Sequence, residues 1–199
     1  MAGITYTVAE LNTIVTMLGC LCATVQGVTG YYAGYKKKKI SLLKTNDVLF
    51  RAHRAFGGFA TTFFFLGLFA GTTGYIGSLL FGTPPFEILS FSFNFHFWPS
   101  FPIAIIIILK TYLSYFKKPL IYKTCRWLGV ATFIAWAYNW ISSAISYYLR
   151  TLPSNPQFPP PIYLLPFELM WLQIILPFII GAIIGLVILR KADIKKRKA

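Results

Sequence analysis

Residues 101–126 read FPIAIIIILKTYLSYF followed by KKPLIYKTCR, and a new apolar run opens at Trp127. A helix needs about 20 mostly apolar residues to cross the hydrocarbon of a bilayer. The first part of the stretch belongs to such a run. The second part breaks it with Lys117, Lys118, Lys123 and Arg126. The same punctuation recurs elsewhere: Lys36, Lys37, Lys38 and Lys39 follow the first apolar run, and Arg190, Lys191, Lys195, Lys196, Arg197 and Lys198 follow the last. On the alternate sides of these runs Arg150 is the clear basic residue. Cytoplasmic loops hold positive charge during insertion, so the asymmetry predicts an N-terminus outside and a C-terminus in the cytoplasm.

Working outward, the chain divides into five apolar runs at about 11–35, 48–81, 98–116, 127–149 and 164–189. They predict an all-α, polytopic membrane bundle forming a single domain. Outer loops are expected at 82–97 and 150–163, with a cytoplasmic tail at 190–199. The second run is long enough to tilt or to project its Arg51–Arg54 end into the cytoplasm. Phe91, Phe93, Phe95 and Phe97 alternate, a pattern of extended or interfacial structure. Pro153, Pro156, Pro159, Pro160 and Pro161 predict a stiff loop of polyproline character.

Composition agrees. The 199 residues are 56% hydrophobic and only 12% charged, with mean hydropathy +0.63. A soluble domain carries roughly twice that charged fraction. The net charge of +14 is clustered at the ends of apolar runs, which points to anionic lipid headgroups and away from nucleic acid. Cys20, Cys22 and Cys125 have neither a disulfide framework nor a zinc spacing and are read as packing residues. Residues 1–11 lack a basic segment and contain Glu10, so the first run is expected to be retained as a helix. Lipidation motifs are absent. Isoleucine- and lysine-rich usage suggests a prokaryotic plasma membrane.

Small residues mark expected helix contacts. Gly19, Ala23, Gly27, Gly30 and Gly34 follow helical spacing in the first run, as do Gly67, Gly71, Gly74 and Ser78 in the second. Such stripes let backbones approach where no hydrophobic effect drives association. The first and second helices are therefore predicted to pack along Gly27, Gly30, Gly67, Gly71 and Gly74. Gly181 and Gly185 form a similar pair, expected to serve a partner helix or subunit.

Groups able to do chemistry are scarce. The chain has 2 histidines and 5 acidic residues, too few for a hydrolytic triad, a metal-dependent hydrolase or a carboxylate relay. Glu168 sits where a helix N-terminus favours a carboxylate. Asn139 is read as an interhelical hydrogen-bonding group. Gly57 lies one turn beyond His53 on the same helix face, which gives a flat macrocycle room beside an imidazole. The other reading of His53 is an interfacial residue among arginines touching lipid phosphate. For His96, an interface anchor stands beside haem ligation or a quinone contact.

Residues 48–148 resemble the core of small membrane-embedded b-type cytochromes of the broad ferric-reductase and cytochrome-b group. The resemblance is carried by His53-Arg54, Phe56-Gly57-Gly58, His96 opening the next helix, Lys110, Pro119 and Trp140-Ile141-Ser142-Ser143. It implies a helical bundle holding haem b and moving electrons, often to or from quinone. His53, His96 and Gly57 would then be cofactor contacts, with His53 and His96 as metal ligands. Such proteins usually pair histidines at similar depth, whereas the predicted topology separates these two by roughly 27 Å of helical rise. Each would need a second ligand from Met, Lys or a partner chain. Two functions are expected from this: an electron-transfer subunit, or a non-catalytic membrane anchor or assembly subunit without haem. Either would work with other membrane subunits or as a homo-oligomer.

Overall fold

The computed structural model describes residues 8–35, 47–81, 91–150 and 169–197. Over these residues the chain is helical: α1 (Val8–Tyr35), α2 (Val48–Phe81), α3 (Phe91–Phe116), α4 (Lys118–Arg150) and α5 (Met170–Arg197). Each of the five contains a segment long and apolar enough to cross a membrane. The protein is an all-α, multi-pass membrane protein. The proline-rich stretch 150–163 and Glu168 lie outside the described residues, apart from Arg150 at the end of α4.

Two boundaries differ from expectation. The Phe91–Phe97 stretch is the first turns of α3, not extended chain. A helix satisfies its own backbone groups, which an isolated extended segment in lipid cannot do. Once helical, Phe91 and Phe95 stack one turn apart at 5.4 Å. The link between α3 and α4 is also shorter than the run 117–126. Lys117 alone separates the two helices, and its carbonyl accepts from the backbone N–H groups of Leu120 and Ile121 at 2.9 and 3.1 Å. Pro119 falls in the first turn of α4, where a missing N–H leaves no intrahelical bond unmade. At the start of α2, Asp47 accepts the Leu49 N–H at 2.8 Å, an N-cap that explains why the helix begins at Val48.

α1 is the axle of the bundle, with its backbone packed directly on α2, α4 and α5. Its glycines and those facing it explain the approach. A Cβ on Gly67 of α2 would lie 2.8 Å from Asn12 Oδ1, and one on Gly30 would lie 3.1 Å from the His53 ring. Helices α1 and α2 thus pack through Gly30, Gly57 and Gly67. Gly27 instead faces Phe133 of α4, and Gly71 has no neighbour within 4 Å of an added Cβ. Gly181 and Gly185 are used within the chain: a Cβ on Gly181 would lie 2.7 Å from the Leu21 carbonyl, and one on Gly185 2.8 Å from Val28.

The bundle centre is aromatic. Trp136 and Trp140 are each only 2% exposed. The Trp136 ring occupies the space that a side chain at Gly19 would need, and Phe64 meets it edge-on at 5.7 Å. One proline within a helix has its lost bond replaced from a neighbouring helix. Pro99 cannot donate to the carbonyl of Phe95, four residues earlier. The Tyr138 hydroxyl from α4 donates to that carbonyl at 2.8 Å instead.

Candidate functional site: two polar layers between α1 and α3

Helix α3 packs on α4 and lightly on α2, but no Cα of α3 comes within 8 Å of α1 among the described residues. Polar side chains bridge the gap. At one end, Asn12 Nδ2 lies 3.2 Å from His96 Nε2. At the other, Lys110 Nζ donates to Gln26 Oε1 at 2.6 Å. Each pair is separated by 84 residues in sequence. Equal offsets mean that α1 and α3 run parallel in constant register. Asn12 to Gln26 and His96 to Lys110 each span fourteen residues, about 21 Å of rise. Fourteen residues is close to four turns, so each helix returns the same face to its partner. Midway between the bridges lie Gly19 and Ile103, and the core around them is Phe64, Ile107 and Trp136. The arrangement is polar, apolar, polar along one seam.

His96 is bound on both ring nitrogens. Its Nδ1 lies 3.0 Å from Ser142 Oγ, and Ser142 Oγ donates to the Asn139 carbonyl at 3.2 Å. The serine hydrogen being used there, its oxygen accepts from His96 Nδ1–H. The Asn12 amide N–H then donates to Nε2. A neutral imidazole satisfies this chain completely, with no leftover proton or lone pair in the ring plane. Ser100 joins the layer by donating to the His96 carbonyl at 2.8 Å, with Asn139 Oδ1 at 3.4 Å. Asn139, 5% exposed, is thus in an interhelical polar layer, as a buried amide in a membrane requires.

His53 belongs to the opposite layer. Its Nδ1 lies 3.0 Å from Thr29 Oγ1. The Thr29 hydroxyl donates to carbonyls of its own helix, Val25 at 2.9 Å and Gln26 at 3.1 Å. The His53 ring also hydrogen-bonds the Gln26 backbone, so it is held to α1 through both Thr29 and Gln26. Gln26 is the hub: its amide holds Lys110 and packs onto Gly57, where a Cβ would collide with it. The hollow beside His53 that Gly57 provides is therefore filled by a side chain of α1.

The sequence-derived residues divide as follows. His53, Gly57 and Lys110 come together around Gln26. His96 stands in the other layer, with Asn12, Ser100, Asn139 and Ser142. Thr29 and Asn12, the α1 partners of the two histidines, are seventeen residues apart, about 25 Å of rise. The two imidazoles cannot share an iron atom. Asn12, Gln26 and Thr29 were not evident as site residues from local motifs. The signal that reveals Asn12 and Gln26 is the shared fourteen-residue spacing of polar residues in α1 and α3; Thr29, which meets α2, leaves no such signal. Among the described residues no group of three His, Cys, Asp or Glu side chains is clustered.

Along one flank of the His53 layer runs a groove of about 470 Å³ lined by Phe50, Arg51, Arg54, Ala55, Gly58, Phe59, Thr62 and Tyr115. The Arg54 guanidinium lies 4.8 Å from the Tyr115 ring centre and 5.8 Å from that of Phe50.

The fold and its seam define a class, a five-helix integral membrane protein with polar layers at both ends of its core. No protein family, curated protein or solved structure matches the chain.

Proposed function

We propose that this protein is a non-catalytic membrane subunit, an anchor or assembly component of a larger complex in a cell membrane, with its N-terminus outside and its C-terminus cytoplasmic. One observation carries the reading: the polar side chains that could serve a cofactor are spent on joining helices. His96 has both ring nitrogens engaged, Gln26 fills the Gly57 hollow, and Lys110 is held by Gln26. These residues do not fit a haem held between the chain's own histidines. The clustering of lysine and arginine at alternate ends of the spans supports the orientation.

An electron-transfer subunit is the second reading, favoured by His53. Thr29 and the Gln26 backbone hold its ring in place, and an imidazole oriented by its neighbours suits a metal ligand or a quinol contact. A partner chain would have to complete such a site.

A reduced-minus-oxidised absorption spectrum separates the two. The protein is expressed with haem available and purified in mild detergent. A flat spectrum from folded protein is expected. A sharp alpha band that disappears in His53→Ala would overturn the anchor reading and establish a b-type cytochrome.

A further inference from the structure

We propose that the groove between α2 and α3 is a binding site for one anionic phospholipid, its phosphate held by Arg51 and Arg54 and its first acyl segment laid along Gly58, Phe59 and Thr62. The groove has the two chemistries of an amphiphile in the right order. Its basic end, with Arg51 and Arg54, belongs to the first turns of α2, and Tyr115 opposite stands two residues before Lys117. Its other end, past Gly58 to Thr62, is apolar and runs toward the membrane centre. From Arg51 to Thr62 is eleven residues, about 16 Å along the helix. That length takes in a headgroup and the start of an acyl chain, whereas a free phosphate would use only the basic end.

Charge and shape agree. Among the described residues that line the groove none is a carboxylate, and Arg51 and Arg54 bring two guanidinium groups to its basic end. The Arg54 guanidinium lies against the Tyr115 and Phe50 rings at 4.8 and 5.8 Å, contacts that limit its freedom to move. A guanidinium held this way suits two-point binding of phosphate oxygens. Gly58 supplies the depth, because nothing lies within 4 Å of a Cβ built there. Helices α2 and α3 touch only lightly, so the groove opens toward the bilayer, where lipid is the abundant occupant. The basic residues at this end also match the anionic leaflet.

The test uses the full chain in mild detergent, followed by native mass spectrometry and melting against added lipid. Phosphatidylglycerol is expected to be retained as a single adduct and to raise the melting temperature, with phosphatidylcholine retained about tenfold less. Arg54→Gln should weaken phosphatidylglycerol retention about tenfold. Gly58→Leu, which adds bulk to the groove without altering charge and whose Cβ meets no neighbour within 4 Å, should also abolish the single adduct while leaving lipid-free melting unchanged. Equal retention of the two lipids, or undiminished retention in a folded Gly58→Leu variant, would overturn the proposal. Stabilisation by inorganic phosphate equal to that by phosphatidylglycerol would also overturn it, by showing a soluble-anion site. Gly58→Leu keeps the test decisive should Arg54→Gln fail to fold.

Discussion

At the scale of single residues, the two layers differ in the kind of energy they store. The His96 layer is neutral, and each hydrogen bond in it joins groups that have no water to turn to. Interhelical bonds of this sort contribute about 0.6 kcal/mol on average and up to about 2 kcal/mol. A double-mutant cycle of Asn12→Ala and His96→Ala, read by thermal melting, should give a coupling energy in that range. Additive effects would mean that the two side chains do not interact. The other layer contains a cation. Lys110 sits inside a span with a neutral amide as its hydrogen-bond acceptor. Removing the amide takes a charge-assisted hydrogen bond from a buried ammonium, a loss of about 1.5–3 kcal/mol. Gln26→Leu is therefore expected to destabilise strongly, while Gln26→Leu combined with Lys110→Met should recover most of the loss. Denaturation in detergent compares the two; no recovery in the double variant would contradict the role given to the lysine charge.

At the scale of helices, close approach and proline repair decide which substitutions the bundle tolerates. Gly67→Leu and Gly181→Leu should each cost about 1–3 kcal/mol by overpacking and reduce folded yield, because neighbouring atoms already stand where a side chain would go. Gly71→Leu should be silent, since its added Cβ meets nothing. Size-exclusion profiles and melting curves of the three variants make the comparison, and a damaging Gly71→Leu would contradict the placement of α2. Tyr138 offers a sharper case. Its hydroxyl replaces the N–H that Pro99 lacks. Tyr138→Phe should cost about 1 kcal/mol in the native sequence and much less beside Pro99→Ala, which restores the helix's own donor.

Helices also show what a sequence can and cannot reveal. The number of spans was legible, because a run of about 20 apolar residues leaves few alternatives in a bilayer. The α3 start was not. Alternating phenylalanines read as extended or interfacial chain, but lipid removes the water that would solvate an open backbone, and the Tyr138 hydroxyl satisfies the carbonyl that Pro99 leaves without a donor. Glycine spacing identified close-packing faces without saying which helix each faces. Gly27 turned to α4 and Gly181 to α1 because a stripe records only room for a neighbour, never its identity. His53 and His96 stood out in the sequence as the only histidines, but not as residues that join helices. Their neighbours on α1 did not stand out, since Asn12 and Gln26 are unremarkable until α3 is set beside them in register, and Thr29 until α2 is.

For the whole molecule, the defining feature is a helix pair that never touches backbone to backbone. Helix α3 is tied to the axle α1 at two levels, Asn12 with His96 and Gln26 with Lys110, while Trp136 and Phe64 fill the core between. This seam sets the parallel register of the two helices and occupies the groups that would otherwise be free for a cofactor. Thiol cross-linking tests it most directly. Cysteines are introduced in pairs at 12 and 96, 26 and 110, and 12 and 110, in a background lacking Cys20, Cys22 and Cys125. The backbones stand more than 8 Å apart, too far for a direct disulfide, which needs Cα atoms within about 7 Å, so a short bifunctional thiol reagent is used. Cross-links in the 12/96 and 26/110 pairs, with none in 12/110, are the expected result. A 12/110 cross-link, or failure of both matched pairs in folded protein, would contradict the parallel seam and with it the structural role of the two polar layers.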